Sequence, residues 1–358
     1  MFHTTAERLF PAAIALSVTA TIALACAGGD AGESVLSPRE TAAVTFMIDS
    51  GSGTKVTGAS AEEEDTVNRW SVLVFGESDG ALYETSTSSG PGALTASLGE
   101  GSYTVAAVVN HPASGAGALI PEEVESLQEL RAFAMPLGAC RTGNLVMYGE
   151  ASLTVSRDGV TPPTLEIPVG RLVAKVEVGR IEMDMIDTAL ADRTFTIKGI
   201  YLINLPSSLP LGSDWTVASI PEGAGNWLNC EAFTGGDSAS LTGDTGIGAP
   251  LSASSPYSTT HTFYILPNPI PEGADSYGGS WSPRRSRLVL EVEVDGETFF
   301  YPFSLPPQSR NSVYLAEKIT LRHKGIDTPD GEVGDRADIV FSCPISQWSP
   351  TYTVNDSF

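Results

Sequence analysis

The side chains able to do chemistry are few and scattered. His111, His261 and His323 each stand alone, with no carboxylate or cysteine at ligand spacing. Histidines in that setting read as solvated or core residues rather than as bases or metal ligands. Cys140, Cys230 and Cys343 are far apart, odd in number and free of any C-x-x-C pair, so neither a disulfide framework nor a zinc site is expected. At most one pair could form, and the plainer expectation is three small buried apolar residues. Residues 51–55 (GSGTK) have the glycines and lysine of a phosphate loop. They lack the G-x-x-x-x-G-K-[ST] spacing and a following helix, so a loop or hairpin is expected. Glu62, Glu63, Glu64 and Asp65 read as a solvated acid run, with a calcium site as the minor alternative. Asp327, Asp330, Glu332, Asp335 and Asp338 form a looser acidic loop without the ligand order of an EF-hand. No nucleophile, base and oxyanion donor come together in a motif. The expectation is a protein that is not an enzyme, with no catalytic, cofactor-binding or metal residue and no cofactor.

The informative chemistry lies at the two ends. Residues 11–25 (PAAIALSVTATIALA) form an apolar run too short for a comfortable membrane span, of a length that suits a signal-peptide core. The small residues before Cys26 and the Gly28, Gly29 tether after it resemble a bacterial lipobox, in which Cys26 carries the lipid. Ala23 replaces the usual large apolar residue three before the cysteine; the alternative is an ordinary secretory signal cleaved after Ala25. Arg39 sits in a small, polar linker between Cys26 and the first strand, where a trypsin-like protease could cut the bond to Glu40. At the other end, residues 351–358 (TYTVNDSF) follow Trp348 and Pro350. Tyr352 and Val354 fall on one face of an extended segment, Thr351 and Thr353 on the other. Strand addition needs such a segment, because its backbone supplies affinity and alternate side chains fill pockets; a plain last strand or frayed tail is the simpler alternative.

The elements between the ends must position all of this. The 358-residue chain carries 20 basic and 43 acidic side chains, a net charge of −23, which repels phosphate backbones and excludes a nucleic-acid binder held by a basic surface. With 42% hydrophobic and only 18% charged residues, it is no disordered acidic tail. Alternating apolar runs separated by Gly, Pro, Ser and Asp turns predict strands near 44–48, 70–75, 81–83, 94–98 and 103–109. Asp79 and Gly80 signal one hairpin, and residues 94–98 and 103–109 are expected to form another strand pair about the turn at 99–101. Residues 121–134 (PEEVESLQELRAFA) are the best helix candidate, with Pro at the start and apolar residues at three-residue steps. The β-branched run at 167–178 predicts one long interior strand. Further strands are expected at 195–205, 261–266, 287–294, 298–305, 312–321 and 337–341, with Asp295 and Gly296 as a two-residue hairpin turn. Residues 206–256 are expected to be long loops with short pairings, anchored by Trp215 and Trp227. The fold class is mainly β: two antiparallel β-sandwich domains with a few short helices. The expected boundaries are 1–25 for the signal, 26–39 for a tether or propeptide, 40–168 for the N-terminal sandwich and 169–358 for the C-terminal one.

A set of short words, in order along almost the whole mature chain, resembles the fimbrillins of Bacteroidetes, lipoprotein precursors of type V pili. They are 54–57 (TKVT), 67–75 (VNRWSVLVF), 101–105 (GSYTV) with Val109 and Asn110, and 145–149 (LVMYG). Then follow 169–177 (VGRLVAKVE), 200–204 (IYLIN), 263–268 (FYILPN), 287–291 (RLVLE), Tyr301 with Pro302, 311–314 (NSVY), and Gly325 to Pro329. The resemblance implies two transthyretin-like β-sandwich domains in a subunit exported through the periplasm, lipidated with palmitate on Cys26, and carried to the outer membrane and the surface fimbrium. It implies as partners an Arg-specific trypsin-like protease, cutting between Arg39 and Glu40, and other fimbrial subunits joined head to tail by strand exchange, with no nucleic acid. Thr351, Tyr352, Thr353 and Val354 would then form the donor strand. Cutting at Arg39 would leave residues 44–48 attached, so either that strand is retained and another segment is lost, or cleavage does not occur here. The rival readings are a tip or anchor subunit and a non-polymerising, glycan-binding surface lipoprotein.

Overall fold

A computed structural model of the chain describes residues 41–49, 64–156, 159–160, 164–274, 281–331 and 337–342. Strand β1 (Thr41–Asp49) alternates as its sequence requires, burying Val44 and Phe46 while Ala43 and Met47 face outward. Strand β2 (Trp70–Gly76) does not alternate: all seven residues are buried, because both faces of its sheet are covered. The chain turns through Gly80, at φ 65°, into the edge strand β3 (Leu82–Ser88). Strands β4 (Leu94–Gly99) and β5 (Gly101–Val109) follow.

The expected pairing of β4 with β5 does not form. Strand β4 pairs with β1, whereas β5 pairs with β2 and with β7 (Met147–Ser156) in a different sheet. Only Glu100 separates the two strands. One residue cannot make a hairpin loop, so the chain turns a sandwich corner there. The Tyr103 hydroxyl donates to the Gly99 carbonyl (2.9 Å) across that corner.

The helix expected at 121–134 is shorter. A 3-10 turn at Pro121–Glu123 ends at Val124, whose backbone is extended, and helix α1 (Leu127–Ala132) starts afresh. Ser126 Oγ accepts from the Glu129 N–H (3.2 Å), while the Glu129 carboxylate accepts from the Glu125 N–H (2.8 Å). The Ser-x-x-Glu spacing of this capping box marks the true start.

Strand β6 (Ala134–Pro136) precedes β7, which is followed by β8 (Gly159–Val160). The single strand expected at 167–178 is instead the end of β9 (Thr164–Pro168), then β10 (Gly170–Arg171) and the start of β11 (Ala174–Met183), in three different sheets. Pro168 has no N–H to continue a ladder, and the chain crosses over Gly149, where an added Cβ would strike the Pro168 carbonyl. Hydrophobic patterning specified burial along this run but not the breaks.

The later strands are β12 (Phe195–Ile203), β13 (Leu205–Pro206), β14 (Ser208–Pro210), β15 (Trp227–Leu228) and β16 (Gly243–Leu251). After them come β17 (His261–Ile265), β18 (Arg287–Val294), β19 (Glu297–Ser304), β20 (Val313–Leu321) and β21 (Ala337–Ser342). Strands β18 and β19 form the expected hairpin; Asp295 and Gly296 both have positive φ, 52° and 82°, as a two-residue primed turn demands. Strand β16 is a nine-residue element inside the stretch expected to be loops. Its sequence GDTGIGAPL has no apolar alternation, and as an edge strand pairing only with β12 it tolerates Gly and Pro.

The main sheets are β4-β1-β9, β10-β7-β5-β2-β3 with β8 beside β7, β17-β11-β20-β21, and β16-β12-β18-β19. The first pair encloses a core with Val44, Phe46, Trp70, Val72, Val105 and Ile167, and the second pair one with Val176, Phe195, Ile200, Leu290 and Tyr301. A third cluster joins Leu73 and Phe75 of β2 to Leu172, Val173, Leu209 and Tyr264 from later in the chain. The result is a mainly β, sandwich-type fold with only short helices.

Candidate functional site

Strand β1 is the middle member of a three-stranded sheet. It runs antiparallel to β4, from Thr41 opposite Gly99 to Phe46 opposite Leu94. It runs parallel to β9, from Thr45 opposite Thr164 to Asp49 opposite Pro168. In that sheet β4 and β9 are joined only through β1. Val44 and Phe46 are fully buried against Trp70, Val72 and Val105 of the facing sheet. Burying two such side chains contributes on the order of 1.5–3 kcal/mol each. Strand β1 is thus held by two backbone ladders and two apolar side chains.

The other predicted site residues, Cys26, Arg39, Glu40, Thr351, Tyr352, Thr353 and Val354, lie outside the described residues, as do residues 51–55 and Cys343. By contacts the chain divides into units 1–39 and 40–358. Strand β1 begins two residues after Arg39, and β21, which pairs only with β20, ends at Ser342.

Within the two acidic segments, Glu64 and Asp330 differ from the solvated residues expected, whereas Asp327 and Asp338 are exposed. Glu64 is only 4% exposed. Its carboxylate accepts from Lys175 Nζ (3.2 and 3.3 Å) and from the Tyr264 hydroxyl (2.7 Å). Lys175 Nζ also lies 3.1 Å from Glu177 Oε1, and both side chains are almost fully buried. Next to it Arg171 donates to Asp65 and to the Glu64 carbonyl (3.3 Å). Burial holds the Asp65 carboxyl above its ordinary range, outweighing the Arg171 charge, and lowers the Arg171 guanidinium in turn. Burial, with Glu64 close by, pushes the Tyr264 phenol well up, so it stays a donor. The Asp330 side chain is buried too, accepting from Arg284 Nη1 (2.8 Å) and Asn204 Nδ2 (3.0 Å), with Arg287 Nε 2.9 Å away in an ion-pair contact. The sequence held a signal for both clusters: Lys175 and Arg287 sit in otherwise apolar strand runs, where a charge needs a partner.

The histidines are less isolated than their spacing suggested. His261 Nδ1 is 3.0 Å from Asp244, which is distant in sequence but brought close by β16; burial still depresses the imidazole. His111 is buried, bonds Ser71 Oγ through Nε2 (2.8 Å), and titrates near 4 because of burial and the Arg69 charge. Cys140 is buried, its thiol pushed up to about 11, whereas Cys230 is only half-buried. Trp227 is buried and Trp215 half-buried, both packed with Ile220 and Ile270 as the expected anchors of that region. Among the described residues no group of His, Cys, Asp and Glu is placed to hold a metal ion, and no helix is long and apolar enough to cross a membrane.

No family model matches the chain, and no curated protein matches it. Solved structures do. A Bacteroides eggerthii protein described as a cell adhesion protein superposes with a TM-score of 0.59 at 17% identity, covering 87% of this chain and 97% of its own. A cell adhesion protein, so described, of Parabacteroides distasonis gives 0.58 at 14% identity, with 88% and 98% covered. A fimbrilin of Porphyromonas gingivalis gives 0.51 at 16% identity, with 86% and 97% covered. The chain thus has the β-sandwich fold of the fimbrillins, over nearly the full length of these proteins.

Proposed function

We propose that the protein is a structural subunit of a cell-surface fimbria supporting adhesion, exported as a lipoprotein through Cys26 and assembled by strand exchange with neighbouring subunits. The observation that carries this reading is the placement of β1 between β4 and β9, in a fold shared with fimbrial and cell adhesion proteins. The two sandwiches, 40–168 and 169–358, form the repeating body of the filament. Residues 351–354 supply the strand donated to the next subunit. Head-to-tail contacts of this kind do not close on themselves and so build filaments. Extraction of an inserted strand must break a row of backbone bonds together, which makes the polymer kinetically stable. An Arg-specific protease would act at the Arg39–Glu40 bond, two residues before β1.

One observation favours a second reading. Because β1 starts at Thr41, cleavage after Arg39 leaves it paired with both neighbours and opens no groove. An anchor subunit, which resists cleavage at Arg39 and keeps its first strand, fits that arrangement. Mass spectrometry of the mature N-terminus from the cell surface decides between them. A terminus at Glu40 or later supports the polymer subunit, and a lipidated Cys26 supports the anchor. A terminus at Ala27 or nearby, without lipid, contradicts the lipoprotein route altogether.

A further inference from the structure

The cluster around Lys175 holds more than an ion pair. Lys175 and Tyr264 are cross-strand partners on β11 and β17, and Glu177 follows Lys175 by two residues, on the same face of β11. Glu64 arrives from the segment before β2, 111 residues away in sequence. The Lys175, Glu64 and Glu177 side chains are 4%, 5% and 1% exposed. Around this one ammonium stand two carboxylates, Glu64 at 3.2 Å and Glu177 at 3.1 Å. Glu177 Oε1 makes no hydrogen bond of good geometry, only its 3.1 Å contact with Lys175 Nζ. A lone buried carboxylate oxygen aimed at an amine is costly as pure structure.

We propose that Lys175 and Glu64 form an intramolecular isopeptide bond, with Glu177 as proton carrier and Tyr264 as oxyanion donor. Lys175 Nζ passes one proton to Glu64, giving a neutral amine beside a neutral carboxylic acid. The amine lone pair attacks Glu64 Cδ, and the charge that develops on Oε1 is held by the Tyr264 hydroxyl already donating to it at 2.7 Å. Glu177 takes the second proton from the nitrogen and delivers it to Oε2, which departs as water with the C–O bond electrons. The products are an amide, one water and Glu177 restored as carboxylate, so atoms and charge balance and no outside reagent is needed. The reacting groups are held together by the fold, which replaces an activating cofactor with proximity. The bond would tie the segment that enters β2 to β11, covalently closing a loop between the two halves of the chain, whatever the protein's role on the cell.

The test is the mass of the purified full chain, measured denatured, followed by peptide mapping. The expected result is a mass below that of the linear chain by one water, and a branched peptide joining Glu64 to Lys175. Glu64→Ala and Lys175→Met restore the linear mass, and Glu177→Gln leaves all or most of the protein unlinked. A wild-type mass equal to the linear chain, with Lys175 recovered as a free amine, overturns the proposal without any variant having to fold. A lost water mapped to other residues overturns it equally.

Discussion

The two halves of the chain close their sandwiches differently. In the C-terminal half every strand of the two four-stranded sheets is drawn from residues 174–342, and the sheet β16-β12-β18-β19 includes a local hairpin. There the chain's last described strand, β21, pairs with β20 alone among the described residues. In the N-terminal half the three-stranded sheet contains no hairpin; β1, β4 and β9 come from far apart, and the first strand sits in the middle. Loss of β21 would shorten a sheet, whereas loss of β1 would divide one and uncover the core behind Val44 and Phe46. The difference teaches where removal of a strand costs most: at the N-terminal sheet, whose middle strand begins two residues after Arg39.

The sharpest way to break this contrast is to remove each strand in turn. Deleting residues 41–49 is expected to abolish amide protection in β4 and β9 while leaving β11, β12 and β18 protected, as hydrogen exchange would show. Equal loss of protection in both halves would dissolve the contrast. Phe46→Ala is expected to cost about 3–5 kcal/mol in chemical unfolding, against under about 0.5 kcal/mol for Met47→Ala on the same strand's exposed face. In the C-terminal half the comparable loss comes from charge: Asp330→Asn leaves Arg284 and Arg287 poorly compensated and is expected to cost about 3 kcal/mol.

The largest resolved histidine shift lies in the N-terminal half. His111 titrates near 4 in the folded protein against an ordinary 6.5, so between those values the unfolded chain binds the extra proton. Stability from this group is fully present above pH 6.5 and is lost as pH falls toward 4, by up to about 3 kcal/mol. His111→Gln should flatten that part of a denaturation-versus-pH curve; an unchanged slope would remove His111 from the account. A smaller loss is expected at the C-terminal hairpin, where Gly296→Ala is strained by the positive φ and should cost about 1 kcal/mol.

Much of this was legible in the sequence because strands announce themselves by alternation and turns by their residues. Residues 44–48, Asp79 with Gly80, and Asp295 with Gly296 read directly into β1 and two turns. What the pattern could not carry was pairing. Glu100 looked like part of a hairpin turn and is a corner between sheets; the run at 167–178 looked like one strand and visits three sheets. Apolar periodicity reports which side is buried, not which neighbour is chosen. Strand β16 escaped because an edge strand needs little side-chain pattern at all. The buried acids Glu64 and Asp330 escaped for a related reason. Runs of acids near glycines look solvated, and only the fold brings Lys175, Arg284 and Arg287 to them.

The central claim is that the chain is a filament subunit whose C-terminal end is donated to a neighbour. Its most direct test is deletion of residues 351–358, followed by electron microscopy of surface fimbriae and a melting curve of the purified monomer. The account predicts a monomer that melts with the wild type and no filaments containing it. Full-length filaments built from the truncated protein would contradict the account.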